Sequence, residues 1–122
     1  MSTGQRLGIL GAVIVLAIAG IVIASGSGGS TKAPKNARVA VDVKNAKPVG
    51  GIKKVKVKLG GTLHLTVHSD TADEVHVHAT DQHEDVAKGG TISMTIKPPA
   101  AGSSEIELEN HKQQLVALTV EP

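Results

Sequence analysis

The sequence predicts an all-β sandwich of about seven short strands, preceded by one N-terminal hydrophobic helix. Three observations carry this prediction. Residues 7–24 form an unbroken apolar run, and from residue 37 onward apolar and polar residues alternate with a period of two. Gly-Gly pairs and prolines punctuate that alternation, as turns between strands require.

The N-terminal run, Leu7 to Ala24, is eighteen residues without a charge. It is longer than the ~7–15-residue core of a signal peptide and near the lower limit, about 17 residues, for a spanning helix. Residues 1–25 are therefore expected to anchor the chain in the cell membrane through residues 7–24. Val22-Ile23-Ala24 before Ser25 also offers a cleavage site, in which case the domain is secreted. Only Arg6 precedes the run while Lys32, Lys35 and Arg38 follow it, and the positive-inside rule alone would keep the domain cytoplasmic. A short N-terminal tail, one arginine, an apolar core and a Gly/Ser exit nevertheless have the layout of an export signal. That layout predicts a single-pass protein with an extracytoplasmic C-terminal domain. Residues 26–36, rich in Gly and Ser and with a proline at position 34, read as a flexible linker.

The strands follow from residue 37 to 122. Val39, Val41 and Val43 make the first apolar set, and Val55, Val57 and Leu59 the second, alternating with Lys54, Lys56 and Lys58. A strand with three lysines suits a sheet edge, where it discourages pairing with other chains. Leu63, Leu65 and Val67 follow Gly60-Gly61, and Val75 and Val77 alternate with Glu74, His76 and His78. Ile92, Met94 and Ile96 come after Gly89-Gly90; Ile106 and Leu108 alternate with three glutamates; Val116, Leu118 and Val120 end the chain. Thr80 to Ala87 shows no alternation and is expected to hold a turn or short helix. Each strand has one apolar face, so two sheets stacked face to face bury them all.

Composition removes several functions. Without cysteine there is no disulfide, thiolate nucleophile or blue-copper thiolate. Without Phe, Tyr or Trp there are no stacking platforms for single-stranded nucleic acid, and no nucleic-acid partner is expected. Nucleophile-elbow, HExxH, Walker and GxGxxG patterns are absent, and the Gly-Gly pairs precede strands rather than helices, so no enzyme is predicted. Charge is segregated: residues 31–58 hold nine basic residues and one acid, while residues 59–122 hold ten acids and three lysines. Either the two halves pack against each other, or the basic half faces anionic lipid headgroups.

The order of elements resembles a small cupredoxin-like domain of bacterial, membrane-anchored or secreted type. The resemblance rests on Gly61–Val67, on Ser69-Asp70 leading to Asp73–His78, and on Val86–Thr91 before a strand. It continues through Ala101-Gly102 before Glu105–Glu109 and the final Leu118-Thr119-Val120. It implies a Greek-key β-sandwich with one metal-ligand position at His76 and a second at His111, in the loop joining the last two strands. That loop lacks the cysteine and methionine of a blue-copper centre, so the family's usual electron transfer is not expected.

All six histidines lie between positions 64 and 111. His76 and His78, two apart on a strand, project from one face with Cα atoms about 7 Å apart. Imidazoles so placed can share an ion such as Cu(II) or Zn(II). If the strand of His64 and His68 neighbours that of His76 and His78, four imidazoles share a face. Titration of the histidines beside ten acids would also suit a pH-responsive surface. The first expectation is a tethered module binding Cu(II) or Zn(II) through His76, His78 and His111. The alternative is a metal-free structural or protein-interaction domain, its partner unspecified.

Overall fold

In the computed structural model, which describes residues 32–122, nine strands lie in two sheets. They are β1 (Asn36–Lys44), β2 (Lys47–Pro48), β3 (Lys53–Lys58), β4 (Thr62–Ser69), β5 (Asp73–Val77), β6 (Gln82–Val86), β7 (Gly90–Ile96), β8 (Gly102–Leu108) and β9 (Gln113–Glu121). The expected anchor at residues 7–24 lies outside the described residues. Among the described residues there is no helix; of the segment Thr80–Ala87, expected to hold a turn or short helix, Thr80 and Asp81 form a turn and Gln82–Val86 is corrected to strand β6. Its residues Gln82-His83-Glu84-Asp85 carry no apolar member, because β6 is an edge strand that inserts only Val86 into the core.

One sheet runs β2-β1-β4-β7 and the other β3-β9-β8-β5-β6. Pairings β1–β4 and β3–β9 are parallel and the rest are antiparallel. Both parallel pairs join the N-terminal half to the C-terminal half, and in the second sheet this brings the lysines of β3 together with the acids of β5, β6, β8 and β9. The lysine-bearing β3 is an edge strand, as its pattern predicts, and Lys56 reaches Glu121 on β9. Packing begins ahead of β1. Ala33 is buried, its N–H donates to Glu121, and Pro34 and Lys35 carbonyls accept from Lys58 and Thr62.

The period-two pattern becomes alternating burial, clearest in β4, where Leu63, Leu65 and Val67 are buried and His64, Thr66 and His68 are partly exposed. The core is wholly aliphatic apart from Met94. Each fully buried Val, Leu or Ile contributes roughly 1.5–3 kcal/mol against exposure. Leu59 departs from expectation: β3 ends at Lys58, and Leu59 stays exposed in the turn ahead of Gly60-Gly61.

Two tight turns position neighbouring parts. Asn45 and Ala46, both at positive φ, join Lys44 to Lys47 in a two-residue hairpin, the twist-matched turn for antiparallel strands. Asp70 accepts the Asn45 N–H, tying this hairpin to the β4–β5 connection. Asp81, also at positive φ, closes the β5–β6 turn and carries its carboxylate up to the outer face of the second sheet.

Candidate metal centre

The outer face of the β8-β5-β6 region gathers histidines and acids by register alone. His76 on β5 pairs with His83 on β6 on one side and with Glu107 on β8 on the other. Alternation puts Glu74 on the same face of β5 as His76, and His78, one residue past the end of the strand, follows it there. The three rings stack: His76 and His78 have centroids 4.4 Å apart, and His76 and His83 4.0 Å apart at 12°.

Carboxylates ring this stack. His76 Nδ1 meets Glu109 Oε1 at 2.9 Å and its Nε2 meets Asp81 Oδ1 at 3.1 Å. His78 Nε2 meets Glu107 Oε2 at 2.8 Å, and His83 lies between Asp81 (3.2 Å from Nε2) and Glu74 (3.3 Å from Nδ1). An ionised carboxylate only accepts hydrogen bonds. Each nitrogen of His76 therefore faces a position where a cation belongs, either a proton or a metal ion.

The electrostatics follow from these contacts. Desolvation pulls the His83 pKa down, but hydrogen bonds to Glu74 and Asp81 and their negative charges outweigh it and hold it above the ordinary 6.5. The same bonds, first from His76 and then from His83, hold the Asp81 carboxyl below the ordinary 3.8.

Two groups bring three ligand atoms within 4.8 Å of one another: His76, His78 and Glu107, and His76, Asp81 and His83. The sequence-predicted His76 and His78 thus come together, and His111 joins neither group. His111 Nδ1 donates to the buried Asp73, whose other oxygen accepts the N–H groups of Glu74 and Asn110. These bonds hold the Glu109–Lys112 turn, which presents Glu109 to His76. Burial alone would raise the Asp73 pKa; the bonds from His111, Asn110 and Glu74 outweigh it and keep the carboxyl below 3.8.

The four-imidazole face does not form. His64 and His68 lie on β4 in the opposite sheet, where His68 meets Thr91 on β7 at 2.8 Å. Sequence reading missed His83, Asp81 and Glu107 as partners of His76. Alternation marked Glu107 as outward-facing, but nothing local shows that β8 runs beside β5. For His83 the available signal was only its nearness to His76 in a short, turn-bounded segment.

No family model matches the sequence, and no curated protein does. The structure is similar to the metal-binding domain of the Cu(I)-exporting P-type ATPase of Streptococcus pneumoniae, with a TM-score of 0.60 at 13% identity over 77% of this chain and 100% of that one. It is also similar to reduced auracyanin from Roseiflexus castenholzii, with a TM-score of 0.55 at 15% identity over 75% of this chain and 100% of the other. A mutant fern plastocyanin gives a TM-score of 0.51 at 16% identity, over 70% of this chain and 100% of its own. The chain thus has the cupredoxin-like fold, without the cysteine of a blue-copper centre.

Proposed function

We propose that this cupredoxin-like sandwich is a membrane-tethered, extracytoplasmic module that binds Cu(II) or Zn(II) through His76, His78 and Glu107. The observation that carries this reading is the convergence of two imidazoles and a carboxylate on one ordered sheet face. His76 and Glu107 are largely covered and sit on adjacent central strands of their sheet, so the donors are preorganised. Two nitrogens and one oxygen suit Zn(II) and Cu(II), and three protein ligands leave a position open for water or an incoming donor. The exporter domain that this fold resembles holds Cu(I), a softer ion served by sulfur, which is scarce here. When bound, the ion would supply a positive charge amid carboxylates; the chain orients the donors through strand register and through the stacking of His76 against His78. The apolar segment 7–24 and the linker 26–36 support the tether, and the export-like N-terminus supports the extracytoplasmic location.

A second reading is favoured by one specific observation: each of His76, His78 and His83 already meets a carboxylate. A metal-free interaction domain would keep this network for its own stability. Calorimetric titration of the chelator-treated full chain with Cu(II) and Zn(II) separates the two. Binding tighter than about 10 μM, or 7 kcal/mol, that His76→Ala/His78→Ala abolishes is the expected result. Weaker binding supports the metal-free domain, and tight binding that survives in the double variant overturns His76 and His78 as the ligands.

A further inference from the structure

We infer that the lysine-rich side of the sandwich, where edge strands β2 and β3 lie together, docks on a bilayer surface carrying anionic lipid headgroups. Val49, Ile52 and Leu59 enter the headgroup layer as its apolar contacts. This rests on the tethered reading, which brings the domain to a bilayer, and it assigns the face that meets that bilayer. It is independent of the metal ligands.

The two edges share one side. β2 is the edge of the first sheet and β3 that of the second, and β1 and β2 pack across the sandwich against β3 and β9. Residues 44–58, which run through both edges, hold six lysines and no acid. Lys44, Lys47, Lys54 and Lys56 are exposed, and Lys53 and Lys58 partly so. Among the described residues, only Lys56 of these six pairs with a carboxylate, that of Glu121 at 3.8 Å. On the first sheet Asp70 lies near Lys44, but its carboxylate accepts the Asn45 N–H and the Thr71 hydroxyl. The acids of the second sheet stand further off. Strands β8, β5 and β6 are two, three and four places from β3, roughly 10–19 Å at about 4.8 Å per strand. Charges that far apart across solvent are screened, because the Debye length is about 8 Å at physiological salt.

The apolar residues mark the same side. Among the described residues, the exposed large apolar side chains are Val49, Ile52 and Leu59, at 47%, 44% and 38% exposure. Val49 and Ile52 flank Gly50-Gly51, the positive-φ tip between β2 and β3, and Leu59 directly follows β3. Scattered singly, such residues need no explanation. Here they bracket the lysine strand at both ends, about 20 Å apart along one edge. The segment ahead of β1 joins the fold beside Leu59, where the Pro34 and Lys35 carbonyls accept from Lys58 and Thr62. A tether attached there lets β3 lie along the bilayer.

The chemistry favours lipid over other anionic partners. All six cations are lysines, point charges without the planar fork by which Arg holds a phosphate or carboxylate in a fixed geometry. The sequence has no aromatic ring on which a base could stack. A fluid layer of headgroups asks only for net attraction, and lysine stems with three aliphatic side chains suit its apolar boundary. In this pose the opposite edge, β6, points away from the bilayer, and the histidine cluster stays open to solvent.

The test uses the full chain, which has no cysteine, so that Ile52→Cys, or Glu84→Cys on β6, carries a single polarity-sensitive dye. Each labelled protein is reconstituted into vesicles of phosphatidylcholine alone or mixed equally with phosphatidylglycerol, with and without nitroxide-bearing lipids as quenchers. In the mixed vesicles the dye at position 52 is expected to shift to the blue and be quenched, while that at position 84 stays in water. Salt at about 1 M, where the Debye length is about 3 Å, should reverse the effect. Lys47→Glu/Lys53→Glu/Lys54→Glu, checked for fold by circular dichroism, should lower the docked-to-undocked ratio about a hundredfold or more, at roughly fivefold per lysine. A dye at position 52 that stays in water in the mixed vesicles overturns the proposal, as does docking that the triple variant keeps. Burial that is equal in neutral vesicles and rises with protein concentration identifies a second copy as the occupant and also overturns it. Loss of the chain from neutral vesicles at high salt overturns the tether itself, while the response to anionic lipid still judges the edge.

Discussion

His76 and His83 stand directly opposite each other across β5 and β6, their rings stacked 4.0 Å apart, with both Nε2 atoms facing one oxygen of Asp81. Two rings at this distance repel when both are charged, and the carboxylates around them offset that repulsion. The arrangement makes the stability of the metal-free protein depend on pH in a direction that can be worked out.

The folded His83 pKa lies above 6.5, so the folded state holds its proton more tightly than the unfolded chain does. Its contribution is complete below pH 6.5 and fades as pH rises through the folded pKa. Asp81 has the opposite sign: its contribution is complete above pH 3.8 and fades as pH falls through its lowered pKa. Together they stabilise most between those two limits. In chelator-treated protein, NMR titration should place His83 above 6.5, and Asp81→Asn should bring it down. A His83 that titrates at or below 6.5 would contradict the network.

Asp73 is the polar anchor of the turn beneath the site. Its buried carboxylate accepts two backbone N–H groups and His111. Asp73→Ala removes the acceptor from all three, and a hydrogen bond to a charged group contributes about 1.5–3 kcal/mol. Urea denaturation should show a loss in that range or above, with Asp73→Asn losing less because it keeps one acceptor. If Asp73→Ala unfolds at the wild-type midpoint, the turn does not depend on this carboxylate.

Gly61 is required for a different reason. A Cβ there would lie 2.2 Å from the Lys35 carbonyl oxygen and 2.8 Å from that of Lys58, both backbone atoms that cannot swing aside. Gly61→Ala must therefore push apart the segment entering β1 and the end of β3. Such overpacking costs about 1–3 kcal/mol, occasionally more. A melting temperature for Gly61→Ala within a degree or so of wild type would show that the segment before β1 yields freely.

Much of this architecture was legible because it rests on local rules. Alternation marked β1, β3, β4, β5, β7, β8 and β9, and it put His76 and His78 on one face. It failed at β6, whose exposed edge needs no apolar face, and at Leu59, which follows the alternation but stands past the end of its strand. The lysine strand was legible as an edge because charge there has a purpose that holds in any sheet order.

The sequence by itself determined the β-rich core, the absence of a thiolate centre, and the shared face of His76 and His78. All three follow from composition or from the two-residue repeat of extended backbone. Tertiary structure alone decided which strands became neighbours. It set His83 and Glu107 on either side of His76, sent His64 and His68 to the opposite sheet, and gave His111 to Asp73. Strand order depends on burying every apolar face at once. That condition is global, and no local segment of the chain contains it.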